Sequence, residues 1–168
     1  MSQKLKEKTL SSEVQAASLG GRSEAPGGDL SGFDERIRRA LGAALEKKAL
    51  DLTVLDLRGI ASFTDFFVIT TGANRRQCQA ISDEVVEQLK RSGTRAARVE
   101  GFQTAEWILI DYGDFVVHIF DEKARRFYDL ERLWREARRI DISPEQIGSE
   151  ISRFKSEISN VSFGSSDL

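Results

Sequence analysis

Hydrophobic positions first fall into a helical period at Phe33. Phe33, Ile37, Ala40, Leu41, Ala44 and Leu45 share one stripe, and Asp34, Glu35, Arg36 and Lys47 take the other face. The spacing predicts an amphipathic helix. Residues 52–57 then read as a strand, ended by Arg58-Gly59, and residues 66–71 form a second strand rich in β-branched and aromatic side chains. Gly72 closes that strand. Asn74 is placed as the N-cap of a helix over Arg75–Arg91, in which Cys78, Ile81, Val85 and Leu89 make a buried stripe and after which Gly93 supplies the stop. Residues 97–100 read as a short strand. Residues 107–112 and 115–120 read as two strands joined by Gly113-Asp114, a two-residue hairpin turn with glycine first. A last core helix is expected within residues 125–139, with Leu130, Leu133 and Trp134 on one face. Helices interleaved with roughly five strands, one hairpin among them, predict an α/β fold: a mixed sheet with flanking helices.

The flanks differ in composition. Residues 1–32 are poor in large apolar side chains and carry Gly20-Gly21 and Pro26-Gly27-Gly28, so they bury too little surface to offset the entropy of ordering. Past the core, Ser143-Pro144-Glu145 is a helix-start signal, and Ile147, Ile151, Phe154 and Ile158 follow at helical spacing. The expected organisation is a disordered tail over 1–32, a domain over 33–140 and an extension with an amphipathic helix over 141–168. Both flanks are expected to be dispensable for folding and binding.

Charge and rare residues narrow the chemistry. The 168 residues carry 25 Lys+Arg against 27 Asp+Glu, a net charge of −2, which argues against a chain built mainly to grip nucleic acid or anionic membrane. No apolar run approaches the roughly 20 residues of a spanning helix, and no export signal opens the chain, so the cytoplasm is expected. One cysteine and one histidine make a disulfide, a multi-cysteine zinc site or a histidine-based metal site hard to assemble. No cofactor or metal is expected.

Individual candidates are weak. The Gly72 junction joins a strand to a helix N-terminus, where backbone N–H groups favour an anion. A nucleotide-binding or nucleotidyl-transferring enzyme using that junction is the alternative reading, but it needs paired carboxylates on neighbouring strands. Asp111 and Asp114 lack that spacing, and Asp129 and Glu131 have it at a helix start, where acids serve as caps. His118, between Val117 and Ile119, reads as a packed or hydrogen-bonded residue, and Cys78 as an inert buried thiol. Arg125, Arg126, Arg132, Arg135, Arg138 and Arg139 read as a solvated helical face that also suits nucleic-acid phosphates.

The hairpin says more. Pairing back from the turn places Asp111 opposite Val116, Ile110 opposite Val117, Leu109 opposite His118 and Trp107 opposite Phe120. One face, Ile108, Ile110, Val117 and Ile119, is wholly apolar and belongs in the core. The other mixes Trp107, Leu109 and Phe120 with Asp111 and His118. That composition fits a partner-binding patch, and equally a second sheet face covered by a helix.

The ordered blocks Asp65-Phe-Phe-Val-Ile-Thr-Thr-Gly-Ala-Asn-Arg-Arg-Gln77, Val99-Glu-Gly101, Glu106-Trp107, Asp111-Tyr-Gly-Asp114, Val116-Val-His-Ile-Phe120 and Arg126-Phe-Tyr-Asp-Leu-Glu-Arg-Leu-Trp134 resemble the ribosomal silencing factor family, also called Iojap. The resemblance runs from about Phe33 to Arg138. It implies a mixed sheet similar to nucleotidyltransferases without their metal carboxylates, and no enzymatic activity. It further implies binding to the large ribosomal subunit through large-subunit ribosomal protein fourteen, which blocks joining of the small subunit and represses translation. The family's binding-surface tryptophan falls on Trp107, with Leu109, Asp111, Tyr112, His118 and Phe120 beside it as partner-binding residues. A homodimer is also expected, since an apolar sheet face or the C-terminal helix needs a cover.

Overall fold

The computed structural model describes residues 29–164. The tail expected over 1–32 lies almost wholly outside them, as do the side chains of Phe154 and Ile158. A 3-10 turn at Leu30–Gly32, capped by the Asp29 carboxylate on Ser31 N–H, leads into α1 (Glu35–Glu46), whose N-cap is Asp34. There follow β1 (Leu50–Asp56), β2 (Phe66–Gly72), α2 (Arg75–Arg91), β3 (Arg98–Glu100), β4 (Trp107–Asp111) and β5 (Phe115–Asp121). The chain closes with α3 (Glu122–Tyr128), α4 (Leu130–Leu133), β6 (Arg138–Asp141) and α5 (Pro144–Gly164).

The six strands form one sheet in the order β3-β4-β5-β2-β1-β6. Only β2 and β5 run parallel, and every other neighbouring pair is antiparallel. This is the mixed sheet the element order predicts. The β4–β5 register also matches the sequence reading, from Trp107 opposite Phe120 to Asp111 opposite Val116, and Gly113 takes the turn's positive φ of 87°.

Both faces of the sheet are covered within the chain. Ile108, Ile110, Val117 and Ile119 join Val54 and Val68 beneath α1 and α2. Leu55, Phe67, Ile69, Leu109, Val116 and Phe120 lie on the other face, with Ala124 of α3 and Leu130 of α4 against them. Strand alternation alone sorts these two sets. The chain's own helices thus fill both faces of the sheet.

Three expectations need correction. The sheet has six strands where roughly five are expected, because residues 138–141 pair with β1. The single helix expected within 125–139 is two: Asp129 adopts a left-handed conformation (φ 44°, ψ 59°), ending α3 and opening α4. The buried set also extends beyond residues 33–140, taking in Leu30, Ile142 and Ile147. Ile147 and Ile151 carry α5 onto the α1 side, where Gly42 lets the helices close: a Cβ there meets Ile151 Cγ1 at 3.3 Å.

Candidate functional site

The site centres on the first residue of β4. Strand alternation points Trp107 to the α3 side, opposite Phe120. No loop separates β5 from α3, because Asp121 both ends the strand and caps the helix, its carboxylate accepting from Ala124 N–H at 2.6 Å. The helix therefore doubles back over β5 and brings Tyr128 against Trp107. Ring centroids lie 4.6 Å from Trp107 to Tyr128 and 5.0 Å from Trp107 to Phe120. The indole Nε1–H donates to His118 Nδ1 at 3.0 Å. Below the strand, Gly101 (φ 78°) passes so close that a Cβ there falls 2.1 Å from the Trp107 carbonyl oxygen. Trp107 itself is half-buried.

His118 is fully buried, with its ring edge-on to Phe67 at a centroid distance of 4.4 Å. Burial lowers its pKa to about 3, so the imidazole is neutral. A neutral ring that accepts at Nδ1 carries its proton on Nε2, and Nε2 finds no hydrogen-bond partner among the described residues. The residue is packed and hydrogen-bonded, as its sequence context predicts.

The expected binding residues do not form one exposed patch. Trp107, Leu109, His118 and Phe120 come together, but Leu109, His118 and Phe120 lie beneath α3 and α4, so this sheet face is covered. Asp111 is half-buried and engaged locally, accepting from Gly113 N–H at 2.8 Å and pairing with Arg98 at 3.2 Å. Tyr112 points to the opposite face, stacked on Phe115 at 4.8 Å, where burial lifts its phenol to about 12. Its even position already puts it with Ile108 and Ile110 rather than with Trp107. Beside Trp107 the half-buried Tyr128 reaches solvent, and Phe127, in edge contact with Tyr128 at 5.1 Å, is 76% exposed. Sequence reasoning missed both as site residues. The signal was Asp121, a cap directly after a strand.

The other candidates become structural. At the Gly72 junction, Ala73 N–H donates to Gln77 Oε1 and Gln77 N–H to Asn74 Oδ1, so two donors an anion would need are taken by the chain itself. A Cβ on Gly72 would fall 2.6 Å from Cys78 Sγ, so the glycine serves close packing, and burial raises the Cys78 thiol. Arg125 is not part of a solvated face. It pairs with Glu131 at 2.6 Å and donates to the Asp51 carbonyl and to the hydroxyls of Thr71 and Thr53, bracing α3 against β1 and β2. Arg138 and Arg139 lie on β6, whereas Arg126 and Arg132 are exposed on the helices. Among the described residues no cluster of His, Cys, Asp or Glu is arranged to hold a metal ion. Nor is any helix among them long and apolar enough to cross a membrane.

Comparison with known proteins adds the context. A family model described as "Ribosomal silencing factor during starvation" matches residues 31–162. The ribosomal silencing factor of Bacillus subtilis is 39% identical over 106 residues, covering 63% of this chain and 90% of that protein. A mouse protein named for mitochondrial assembly of the ribosomal large subunit is 30% identical over 108 residues, covering 62% of this chain and 47% of that one. Two crystal structures share the fold. One, from Chromobacterium violaceum, has a TM-score of 0.59 at 34% identity and covers 60% of this chain and 83% of its own. The other, from Bacillus halodurans, has a TM-score of 0.56 at 37% identity and covers 65% and 97%. With its mixed six-stranded sheet and a family match over most of its length, the chain belongs to the ribosomal silencing factor family.

Proposed function

We propose that this protein binds the large ribosomal subunit through large-subunit ribosomal protein fourteen and, seated there, keeps the small subunit from joining. It acts by occupying space and not by chemistry. The observation that carries the reading is Trp107: a half-buried indole held by His118, Phe120 and Tyr128, with exposed Phe127 next in the chain to Tyr128 and in edge contact with it. Rigid aromatic side chains with one exposed edge are the anchors that dominate protein interfaces, because little entropy is lost when they dock. The mouse relative's name, which refers to the large ribosomal subunit, agrees with the partner. Exposed Arg126 and Arg132, on the same helical layer, suit rRNA phosphates at the edge of such a contact.

The test pairs two variants. Trp107→Ala is expected to weaken binding to isolated large subunits, and to purified ribosomal protein fourteen, by at least about thirtyfold, the equivalent of about 2 kcal/mol. Ile110→Ala, buried on the other face, is expected to lower stability by roughly 2–5 kcal/mol and to leave affinity unchanged where the protein is folded. Co-sedimentation and thermal melts read both. Parental affinity in folded Trp107→Ala overturns the reading.

A further inference from the structure

We propose that His118 is a positioning residue for Trp107, fixing the indole through Nδ1 in the orientation that meets the partner. The inference rests on the reading of Trp107 as the binding anchor. Three observations carry it. First, the indole Nε1–H donates to His118 Nδ1 at 3.0 Å, a bond that reaches from the buried sheet face to a half-buried ring. Second, His118 cannot turn away. It sits mid-strand, paired with Leu109 on one side and Ile69 on the other, its ring edge-on to Phe67 and within 9° of parallel to Phe120. Third, the side chain is costly as mere filling. Nε2 is buried with no partner among the described residues, a desolvated donor that a phenylalanine in the same space would not have. What histidine supplies and phenylalanine does not is the Nδ1 acceptor.

Phe120 and Tyr128 confine the indole by contact, but ring contacts carry no directional bond to set its rotation about the side-chain torsions. A directional bond from below removes that freedom before the partner arrives. Binding then loses less entropy, and affinity gains without any new contact to the partner.

The test uses the full chain, isolated large ribosomal subunits, and three variants: His118→Phe, His118→Asn and Trp107→Ala. Asparagine places Oδ1 where Nδ1 stands, so it retains the acceptor. The chain has two tryptophans, so the indole N–H of Trp107 is followed by nuclear magnetic resonance with Trp134 as internal reference. His118→Phe is expected to weaken binding roughly three- to tenfold, with a melting temperature no lower than the parent's at pH 7. Its Trp107 indole N–H should shift and lose protection from exchange while that of Trp134 does not move. His118→Asn should recover most of the affinity and the protection. If His118→Phe does not fold, His118→Leu replaces it. Parental binding by the acceptor-free variant, or equal losses in it and His118→Asn, overturns the positioning role while leaving the anchor reading intact. Parental binding by Trp107→Ala overturns both.

Discussion

Trp107 is placed by backbone as much as by side chains. Gly101 precedes it across a tight turn and approaches its carbonyl so closely that even a methyl group collides. The φ of 78° at Gly101 adds a second reason for glycine, since L side chains are strained there. Gly101→Ala is therefore expected to cost at least about 1–3 kcal/mol and to displace the start of β4. Thermal melts and the Trp107 indole resonance check it: an unchanged melt and an unmoved resonance would show that the turn relaxes freely. At this scale the sequence is only partly informative. Alternation places Trp107, Leu109, His118 and Phe120 on one face, as observed, and places Tyr112 on the other. It says nothing of what covers a face, because the cover comes from α3 and α4, elements outside the hairpin whose direction strand alternation does not set. The bond between Trp107 and His118 lies between the two classes. Its partners are near-neighbours across a hairpin whose register the Gly113-Asp114 turn announces, but its existence depends on rotamers that the pattern does not encode.

Elements with strong periodicity are legible, and those built from charged residues are not. The helix over Arg75–Arg91 is read to its observed ends because Asn74 caps it and four apolar residues stripe it. Strand β6 escapes because Arg138-Arg139-Ile140-Asp141 offers one buried side chain among three charges, as an edge strand does. The break at Asp129 escapes because a left-handed aspartate has no pattern of its own. The C-terminal helix α5 begins where Ser143-Pro144-Glu145 signals a start, and Ile147 and Ile151 of the expected stripe turn toward α1. Ile147 is fully buried and Ile151 meets α1 at Gly42, so the helix is part of the domain's packing rather than an appendage. Ending the chain at residue 140 removes Ile142 and Ile147 from the core and should cost several kcal/mol, roughly 2–5 for each large buried side chain lost. Gly42→Leu is a milder probe, expected to push α5 off α1 without touching the sheet. Hydrogen exchange reports on both: α1 amides should lose protection in each variant. Undiminished protection and an unchanged melting temperature in the shortened chain would make α5 dispensable, as the sequence alone suggests.

Across the whole molecule, acid stability reports whether the site is as dry as its geometry implies. His118 is the chain's one histidine, and burial holds its pKa at about 3, below the ordinary value of 6.5. The unfolded chain therefore takes up a proton that the folded chain refuses. Stability is full above about pH 6.5 and falls as the pH drops through the window toward 3, by up to about 1.4 kcal/mol per pH unit. Between pH 6.5 and 4.5 the loss should reach roughly 2–3 kcal/mol. The Arg36 guanidinium holds Asp34, and that of Arg58 holds Asp56, below the usual carboxylate range, so their stabilisation is lost only as the pH falls below about 4. The upper part of the window thus belongs to one side chain. Urea unfolding across that range should give a sloping stability for the parent and a nearly flat one for His118→Phe, the two curves steepening together below pH 4. If both slope alike from pH 6.5 to 4.5, His118 is protonated in the folded state, and the closed aromatic layer around Trp107 admits water.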